Sequence, residues 1–375
     1  MSGIQLVFDN VNKIYNPGTR HAVHAVRDFN LTVNAGEIVA LLGSSGCGKT
    51  STLRMVAGFE AVTKGAITLR DRPIHTLAPA KRNVAMAFEG YSLYPPLTVR
   101  DNIAFALKSE RIDQAQVGAR VDEIARLLDI TGILDRYPSS ISGGQQQRAG
   151  LGRALIRQAD LHLLDEPMGQ LEPQLRAHLR GRIKHFIKER GLTAILVTHD
   201  QTEANALADR IAVMEDGELQ QFDTPDVLRQ RPANLFTGTF IGEPPMNVFD
   251  ADATEEDESF VFRLGDGVRL AYDPGAFRPD LRETILARGR VTLGVRPHSV
   301  RLADDGAEAT VDTSQWLGDQ THIAARFAGK SIVSVRHDRM RLDRGDTIGV
   351  RVAPEDLHLF DTATGAAISH GGAPA

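Results

Sequence analysis

Cysteine is nearly absent: Cys47 is the only one in 375 residues, so no disulfide can form within the chain and a reducing compartment suits it. Long apolar runs are missing as well. No stretch approaches the ~18 residues that a membrane-crossing helix requires, and the N-terminus carries no signal-peptide pattern. The chain is therefore expected to stay in the cytosol and to meet a membrane only through partners. Positive charge is not in excess: 43 Lys and Arg against 48 Asp and Glu leave a formal net charge of −5. With no aromatic ladder either, nucleic acid is not an expected partner. What is present is 42% hydrophobic content, ample for globular cores, and a length that suggests two or three domains.

A short apolar strand, Ile38-Val39-Ala40-Leu41-Leu42, runs into Gly43-Ser44-Ser45-Gly46-Cys47-Gly48-Lys49-Thr50. This is the G-x-x-x-x-G-K-[ST] pattern of a phosphate cradle. Its three glycines let the backbone curl until several amide N–H groups face one oxyanion, and a helix starting near Lys49 adds the positive end of its dipole. Lys49 neutralises β- and γ-phosphate charge in this pattern. Thr50, with Ser51 beside it, offers a hydroxyl to Mg²⁺, a hard cation that prefers a few oxygen ligands plus phosphates and water. Gly43 through Ser51 are the candidate nucleotide-binding residues, with Cys47 read as a small loop residue rather than a redox group.

Ile141-Ser142-Gly143-Gly144-Gln145 precedes a helix-compatible run, Gln146 to Leu155, and Ser142 with Gln145 has the spacing of a capping box. A helix capped there presents free N–H groups at Gly143 and Gly144. That is a second anion site, which a chain with one P-loop does not need for its own nucleotide. Leu161-His162-Leu163-Leu164-Asp165-Glu166-Pro167 reads as a buried strand ending in two carboxylates. Asp165 suits holding Mg²⁺ or its waters, and Glu166 suits polarising an attacking water. A further strand, Thr193 to Thr198, delivers His199 at its C-terminal end, where ligand groups gather in open α/β sheets. There His199 can contact a γ-phosphate; His162, inside its strand, reads as structural.

In this order the P-loop, Ile141 to Gln145, Asp165-Glu166 and Thr198-His199-Asp200-Gln201 resemble the ATPase subunit of an ABC transporter, densely over residues 4 to about 240. The resemblance implies an ATPase that uses ATP and Mg²⁺, with Lys49, Glu166 and His199 catalytic, Thr50, Glu89 and Asp165 on the metal, and Tyr15 stacked on adenine. It also implies that two such chains face head to tail, so that ATP on one P-loop meets Ser142, Gly143, Gly144 and Gln145 of the opposite chain. Closure and reopening would then drive two transmembrane permease subunits. Tyr91-Ser92-Leu93-Tyr94-Pro95-Pro96-Leu97 falls where this family docks a cytoplasmic helix of the membrane subunit.

The expected fold is an α/β P-loop ABC ATPase domain over 1–240, with strands at Gln5 to Val11, Ala25 to Val33 and Val84 to Phe88. A helical insert is expected over about 90–150, and a hairpin around Glu215-Asp216-Gly217. After Gly242-Glu243-Pro244-Pro245 the texture changes to short alternating strands, among them Ser259 to Leu264, Val291 to Arg296 and His322 to Phe327. They predict an all-β, OB-like regulatory domain over 241–368, followed by a flexible tail over 369–375. Leu293-Gly294-Val295-Arg296-Pro297 and Leu357-His358-Leu359-Phe360-Asp361 resemble pieces of the TOBE-type regulatory domain of maltose-type sugar-importer ATPases. An acid usually follows that Arg-Pro, and here His298 stands in its place. The resemblance implies import of a sugar, polyol or related small solute delivered by an extracytoplasmic solute-binding protein, with the chain held peripherally at the cytoplasmic face of the inner membrane. Two other readings are a non-transport ABC ATPase, which would be expected to show tandem cassettes, long coiled coils or basic surfaces, and a mainly regulatory subunit, against which Lys49, Glu166 and His199 argue.

Two departures from the family's pattern stand out. Glu89 replaces the usual Gln, and an ionised carboxylate cannot donate a hydrogen bond as an amide does. In Met168-Gly169-Gln170-Leu171-Glu172, Gly169 and Glu172 stand where Ser and Asp are usual. Two identical chains would place these changes at a symmetric interface, so the expected second ATPase subunit is an unlike copy in preference to an identical one.

Overall fold

The structure is a computed structural model that describes residues 3–90, 93–108 and 112–371. The chain divides into two compact units, one ending at Pro225 and one beginning at Asp226. In the first, β1 (Ile4–Tyr15) and β2 (Val23–Asn34) pair antiparallel and extend beyond the alternating stretches of the sequence. Register shifts around Val11 and Lys13, beside Asn10 at φ 46°, break the two-residue period and conceal the strand ends. Then come β3 (Ile38–Gly43), α1 (Lys49–Ala57), β4 (Lys64–Leu69), β5 (Arg72–Pro73) and β6 (Val84–Ala87). The helical insert holds α2 (Val99–Phe105), α3 (Gln114–Leu127) and α4 (Gly143–Leu155). The remainder is β7 (Leu161–Asp165), α5 (Pro173–Glu189), β8 (Ala194–Thr198), α6 (Gln201–Leu207), β9 (Arg210–Glu215) and β10 (Glu218–Asp223).

These strands form an antiparallel sheet, β2-β1-β4-β5, and a second sheet in the order β10-β9-β3-β8-β7-β6, parallel except for β10. Every residue of β3, β7 and β8 is buried. That burial is why these segments read as unbroken apolar runs: parallel strands covered on both faces have no solvent side to alternate with. The β9–β10 hairpin turns through Asp216 at φ 47° and Gly217 at φ 84°, the doubly left-handed conformation that Asp-Gly supplies.

The second unit contains α7 (Pro225–Gln230) from its second residue on, α8 (Leu235–Phe240), β11 (Asn247–Glu256), β12 (Ser259–Arg263), β13 (Arg269–Tyr272), α9 (Pro279–Arg288) and β14 (Arg290–Val295). It continues with β15 (Arg301–Trp316), β16 (Thr321–Phe327), β17 (Lys330–Arg336), β18 (Thr347–Arg351), β19 (Leu357–Asp361) and β20 (Ala367–His370). One sheet runs β13-β12-β11-β14-β19-β20, the other β17-β16-β15-β18. Phe249, Phe260, Phe262, Phe277 and Phe327 are in its core.

Two expected boundaries move. The segment 226–240, assigned to the ATPase domain by sequence, belongs to the second unit, because the Arg296 guanidinium donates to Gly238 O at 2.8 Å, to Arg229 O at 2.8 Å and to Ile241 O. The tail expected to be flexible from 369 instead pairs: Ser369 and His370 lie in β20 opposite Leu359 and His358, while 372–375 lie outside the described residues. Helix α9 was not expected. It buries only Leu281 and Ile285, too few to leave an apolar stripe in the sequence.

Candidate active site

Three neighbouring strands, β3, β8 and β7, end side by side in the sheet, with Leu42 opposite Thr198 and Asp165 opposite Val197. Their C-terminal ends carry the P-loop, His199 and Asp165-Glu166. Gly43 and Gly48 cannot be replaced without moving backbone: a Cβ on Gly43 would lie 2.2 Å from Met214 O, and one on Gly48, at φ +103°, would lie 2.4 Å from Ala25 O. Helix α1 starts at Lys49 directly after the loop. The buried Lys49 ammonium donates to Gly43 O and Ser44 O, both at 2.8 Å, and lies 3.6 Å from the buried Cys47 Sγ. Ser44, Ser45 and Gly46 are exposed, and Thr50 is half-buried. Tyr15, at the end of β1, reaches Ser51 Oγ with its hydroxyl at 3.1 Å, and the Lys13 ammonium lies 4.6 Å from its ring centroid. The one aromatic singled out near the N-terminus thus stands beside the phosphate cradle.

Glu166 Oε1 and His199 Nδ1 are 2.7 Å apart. Asp165 is 4% exposed. Burial, with the charges of Glu89 and Glu166, pushes its pKa up to about 6 against the opposing pull of Arg54 and Lys49. One oxygen of the Asp165 carboxyl, Oδ1, is buried without a hydrogen-bond partner. Glu89 is exposed and close enough for its charge to act on Asp165. Among the described residues no three His, Cys, Asp or Glu side chains converge into a cage for a metal. Mg²⁺ rarely needs one, since it takes one or two carboxylates plus substrate phosphates and water. A buried unpaired carboxylate oxygen within reach of the Lys49 charge fits that habit.

Ser142 caps α4, which begins at Gly143, as the capping-box spacing predicts. Its hydroxyl accepts from Gln145 N at 3.4 Å while its own N–H donates to Gln145 Oε1 at 3.0 Å. A Cβ on Gly144 would lie 3.2 Å from Gln170 O, a tight contact that would push this helix and the 168–172 segment apart by a few tenths of an ångström. Glu172 precedes α5 as its N-cap but makes no side-chain cap bond.

Three side chains bracing these loops escaped the sequence reading. Gln147, on α4, donates to Glu166 O at 2.8 Å and accepts from Gln170 N at 3.0 Å. Arg176, on α5, donates to Asp200 Oδ2 at 2.9 Å, Gly169 O at 3.2 Å and Leu171 O at 3.3 Å. Glu203, on α6 and 2% exposed, accepts from Thr198 Oγ1 at 2.7 Å, and burial pushes its pKa up to about 7. A polar residue on the inward face of an amphipathic helix is the available signal, and all three sit among alternatives of equal polarity.

On the insert, Asn102 is fully buried and holds the Tyr94 segment through its backbone, accepting from Tyr94 N at 2.7 Å and donating to Leu97 O at 3.0 Å. Tyr94 is 43% exposed, its ring centroid 4.6 Å from that of Phe105 and 5.3 Å from the Arg153 guanidinium carbon. These three line a groove of about 410 Å³. Tyr91 and Ser92 lie outside the described residues.

Comparison with known proteins identifies the family. A family model described as ABC transporter matches residues 26–169, one described as MalK OB fold domain matches 242–300, and one described as TOBE domain matches 293–360. The sn-glycerol-3-phosphate import ATP-binding protein UgpC of Chromobacterium violaceum is 38% identical over 372 residues, 98% of this chain and 97% of that protein. The trehalose/maltose import ATP-binding protein MalK of Thermococcus litoralis is 39% identical, covering 98% of this chain and 100% of its own length. Among solved structures, a dimeric post-hydrolysis form of the ATP-binding cassette MJ0796, bound to ADP and phosphate, superposes with a TM-score of 0.54 at 26% identity. It covers 58% of this chain and 98% of its own. With its P-loop, capped glycine pair, acidic strand end and switch histidine in one unit and OB and TOBE modules in the other, the chain belongs to the ATP-binding proteins of the ABC transporter family.

Proposed function

We propose that this ATPase energises the uptake of a sugar, polyol or related small solute, by hydrolysing ATP in a dimer that drives two transmembrane permease subunits. The observation that carries the catalytic part is the Glu166–His199 pair at the edge shared with Lys49 and Asp165. Glu166 Oε1 accepts a proton from the attacking water as the water oxygen bonds to the γ-phosphorus and the bridging oxygen leaves with ADP. His199 orients that carboxylate through its 2.7 Å contact. Lys49 offsets phosphate charge, the loop amides bind phosphate oxygens, and Tyr15 contributes to the adenine side. Mg²⁺, held by Thr50 and Asp165 with Glu89 nearby, would supply charge neutralisation of the phosphates. Glu166→Gln should lower kcat by roughly 10²–10⁴-fold with ATP still bound, because a base is lost while phosphate contacts remain; unchanged turnover would refute the role.

The relatives support the transport part: UgpC, MalK and the xylose/arabinose import protein XacK of Haloferax volcanii are named for different solutes. Solute choice is accordingly assigned to the other subunits, the permeases and an extracytoplasmic solute-binding protein. No helix among the described residues is long and apolar enough to cross a membrane, so attachment to the cytoplasmic face is assigned to the Tyr94 groove. The signature residues Ser142, Gly143, Gly144 and Gln145 complete the site of the opposite ATPase copy. That copy is proposed to be an unlike chain, because Glu172 leaves its helix uncapped and Gly169 carries no side chain although a Cβ there would meet only ordinary contacts at 3.6 Å or more. Purification of the transporter through a tag on this chain tests both points. Native mass spectrometry should find one copy of this chain and one other ATPase, two copies refuting the hetero-pair, and Tyr94→Asp should strip away the membrane subunits without changing ATP affinity.

A further inference from the structure

The residue that activates water in the reading above is itself held in an unfavourable backbone conformation. Glu166 has φ +48°, a left-handed geometry that a non-glycine residue sustains only when its surroundings impose it. Its N–H still belongs to the sheet, donating to Val197 O at 2.9 Å. Its carbonyl has left the ladder. That carbonyl accepts from Gly169 N at 3.2 Å and, more closely, from Gln147 Nε2 at 2.8 Å. The other end of the same amide, Gln147 Oε1, accepts from Gln170 N at 3.0 Å. Gln147 is 4% exposed, so these bonds face little competition from water.

We propose that Gln147 is a positioning residue that sets the aim of the Glu166 carboxylate by clamping both ends of the 166–170 turn with a single amide. The inference rests on Glu166 being the water-activating group. A glutamine amide donates and accepts in one plane at every pH, which is what a carbonyl at one end of a turn and an N–H at the other require; a glutamate of the same length does so only when protonated. Without the donor, the Glu166 carbonyl keeps only its longer bond, the turn relaxes, and the carboxylate moves away from His199. Nothing in the P-loop depends on this amide, so phosphate affinity is untouched. Because Gln147 projects from the same helix that Ser142 caps, a displacement of α4 reaches Glu166 through this one side chain. The proposed contact of Ser142 with the opposite chain's nucleotide would therefore bear on the water-activating group of its own chain.

The test uses the full chain in its transporter complex, purified through a tag on this chain, with ATPase turnover and ATP binding measured in parallel. Gln147→Met, similar in length and unable to form either bond, should lower kcat by roughly 10–100-fold, as expected for a misplaced reacting group, while the Kd for ATP stays within about twofold. Gln147→Glu gives a second readout in a single protein. At about pH 8 its carboxylate cannot donate and turnover should be low; toward about pH 6 the protonated carboxyl donates to the Glu166 carbonyl while its other oxygen still accepts from Gln170, and kcat should recover relative to the unsubstituted chain. Wild-type kcat in Gln147→Met overturns the proposal. So does a loss of ATP affinity matching the loss of kcat, or a Gln147→Glu profile parallel to that of the unsubstituted chain, either of which assigns Gln147 to folding alone. Glu166→Gln measured alongside separates the two readings: turnover surviving there removes the role of Glu166, whereas an inactive Glu166→Gln beside unimpaired Gln147 variants removes only that of Gln147.

Discussion

Two buried charges, one in each unit, are treated in opposite ways. In the first, Glu203 is 2% exposed with one oxygen bonded to the Thr198 hydroxyl and the other, Oε1, without a partner. In the second, Arg296 is 8% exposed and directs both terminal nitrogens at carbonyls of Arg229, Gly238 and Ile241, leaving only Nε unpaired. Burial pushes Glu203 up to about 7 and pulls Arg296 down to about 10. At neutral pH Arg296 is still fully charged, and its charge ties two helical segments to a sheet. Glu203 is half-ionised there and under-satisfied, directly behind the strand that delivers His199. Local rules are relaxed beside the chemistry and enforced where the chain only has to hold together.

Removing each charge should sharpen that contrast. Arg296→Met leaves two buried carbonyls and one partly buried carbonyl without their donor, at about 1–3 kcal/mol for each buried group, so the second unit should lose about 3–5 kcal/mol. Trp316, the only tryptophan, reports on that unit by its fluorescence in urea, while ATP affinity, carried by the first unit, should stay unchanged. Equal losses in both readouts would erase the distinction. Glu203→Gln should act the other way. The folded state holds the Glu203 proton with a pKa of about 7 against 4.5 for an ordinary glutamate carboxyl, so the unfolded chain releases it first and the carboxyl's contribution to stability is lost as pH rises from 4.5 to 7. The Gln variant should therefore exceed the parent by about 2 kcal/mol above pH 7, once an unpaired amide N–H is set against the gain. Near pH 4.5 the advantage should vanish. A stability difference independent of pH would contradict a buried, weakly solvated carboxyl at this position.

What could be read from the sequence follows the same division. The P-loop, the capped glycine pair and Asp165-Glu166 are contiguous peptides whose function depends on backbone amides and neighbouring side chains, so their spacing alone exposes them. The bracing residues are dispersed. Gln147, Arg176 and Glu203 act across 19, 24 and 5 residues of sequence respectively, and no local pattern distinguishes them from solvent-facing polar residues on the same helices. In the second unit, β12, β14 and β16 were legible. Strand β15 was not, because it bulges between Leu302 and Ala307, both opposite Val350, and the extra residues scramble the period of two. The 225/226 division escaped for another reason: Arg296 secures 226–241 to the second unit from about 60 residues downstream.

Neighbouring ends in the series β3, β8, β7 lie one inter-strand distance apart, about 4.8 Å, whatever the chain does between them. Long connections can therefore be lengthened or exchanged without altering how far Lys49 sits from Glu166 or His199. Alignment along the strands has no such freedom. Asp165 is paired with Val197, and a slip of one residue between β7 and β8 would carry His199 about 3.3 Å along the sheet and turn it to the opposite face. Catalytic competence in this fold is thus a matter of register: insertions of many residues are tolerated in the loops, and a displacement of one is not tolerated in the strands.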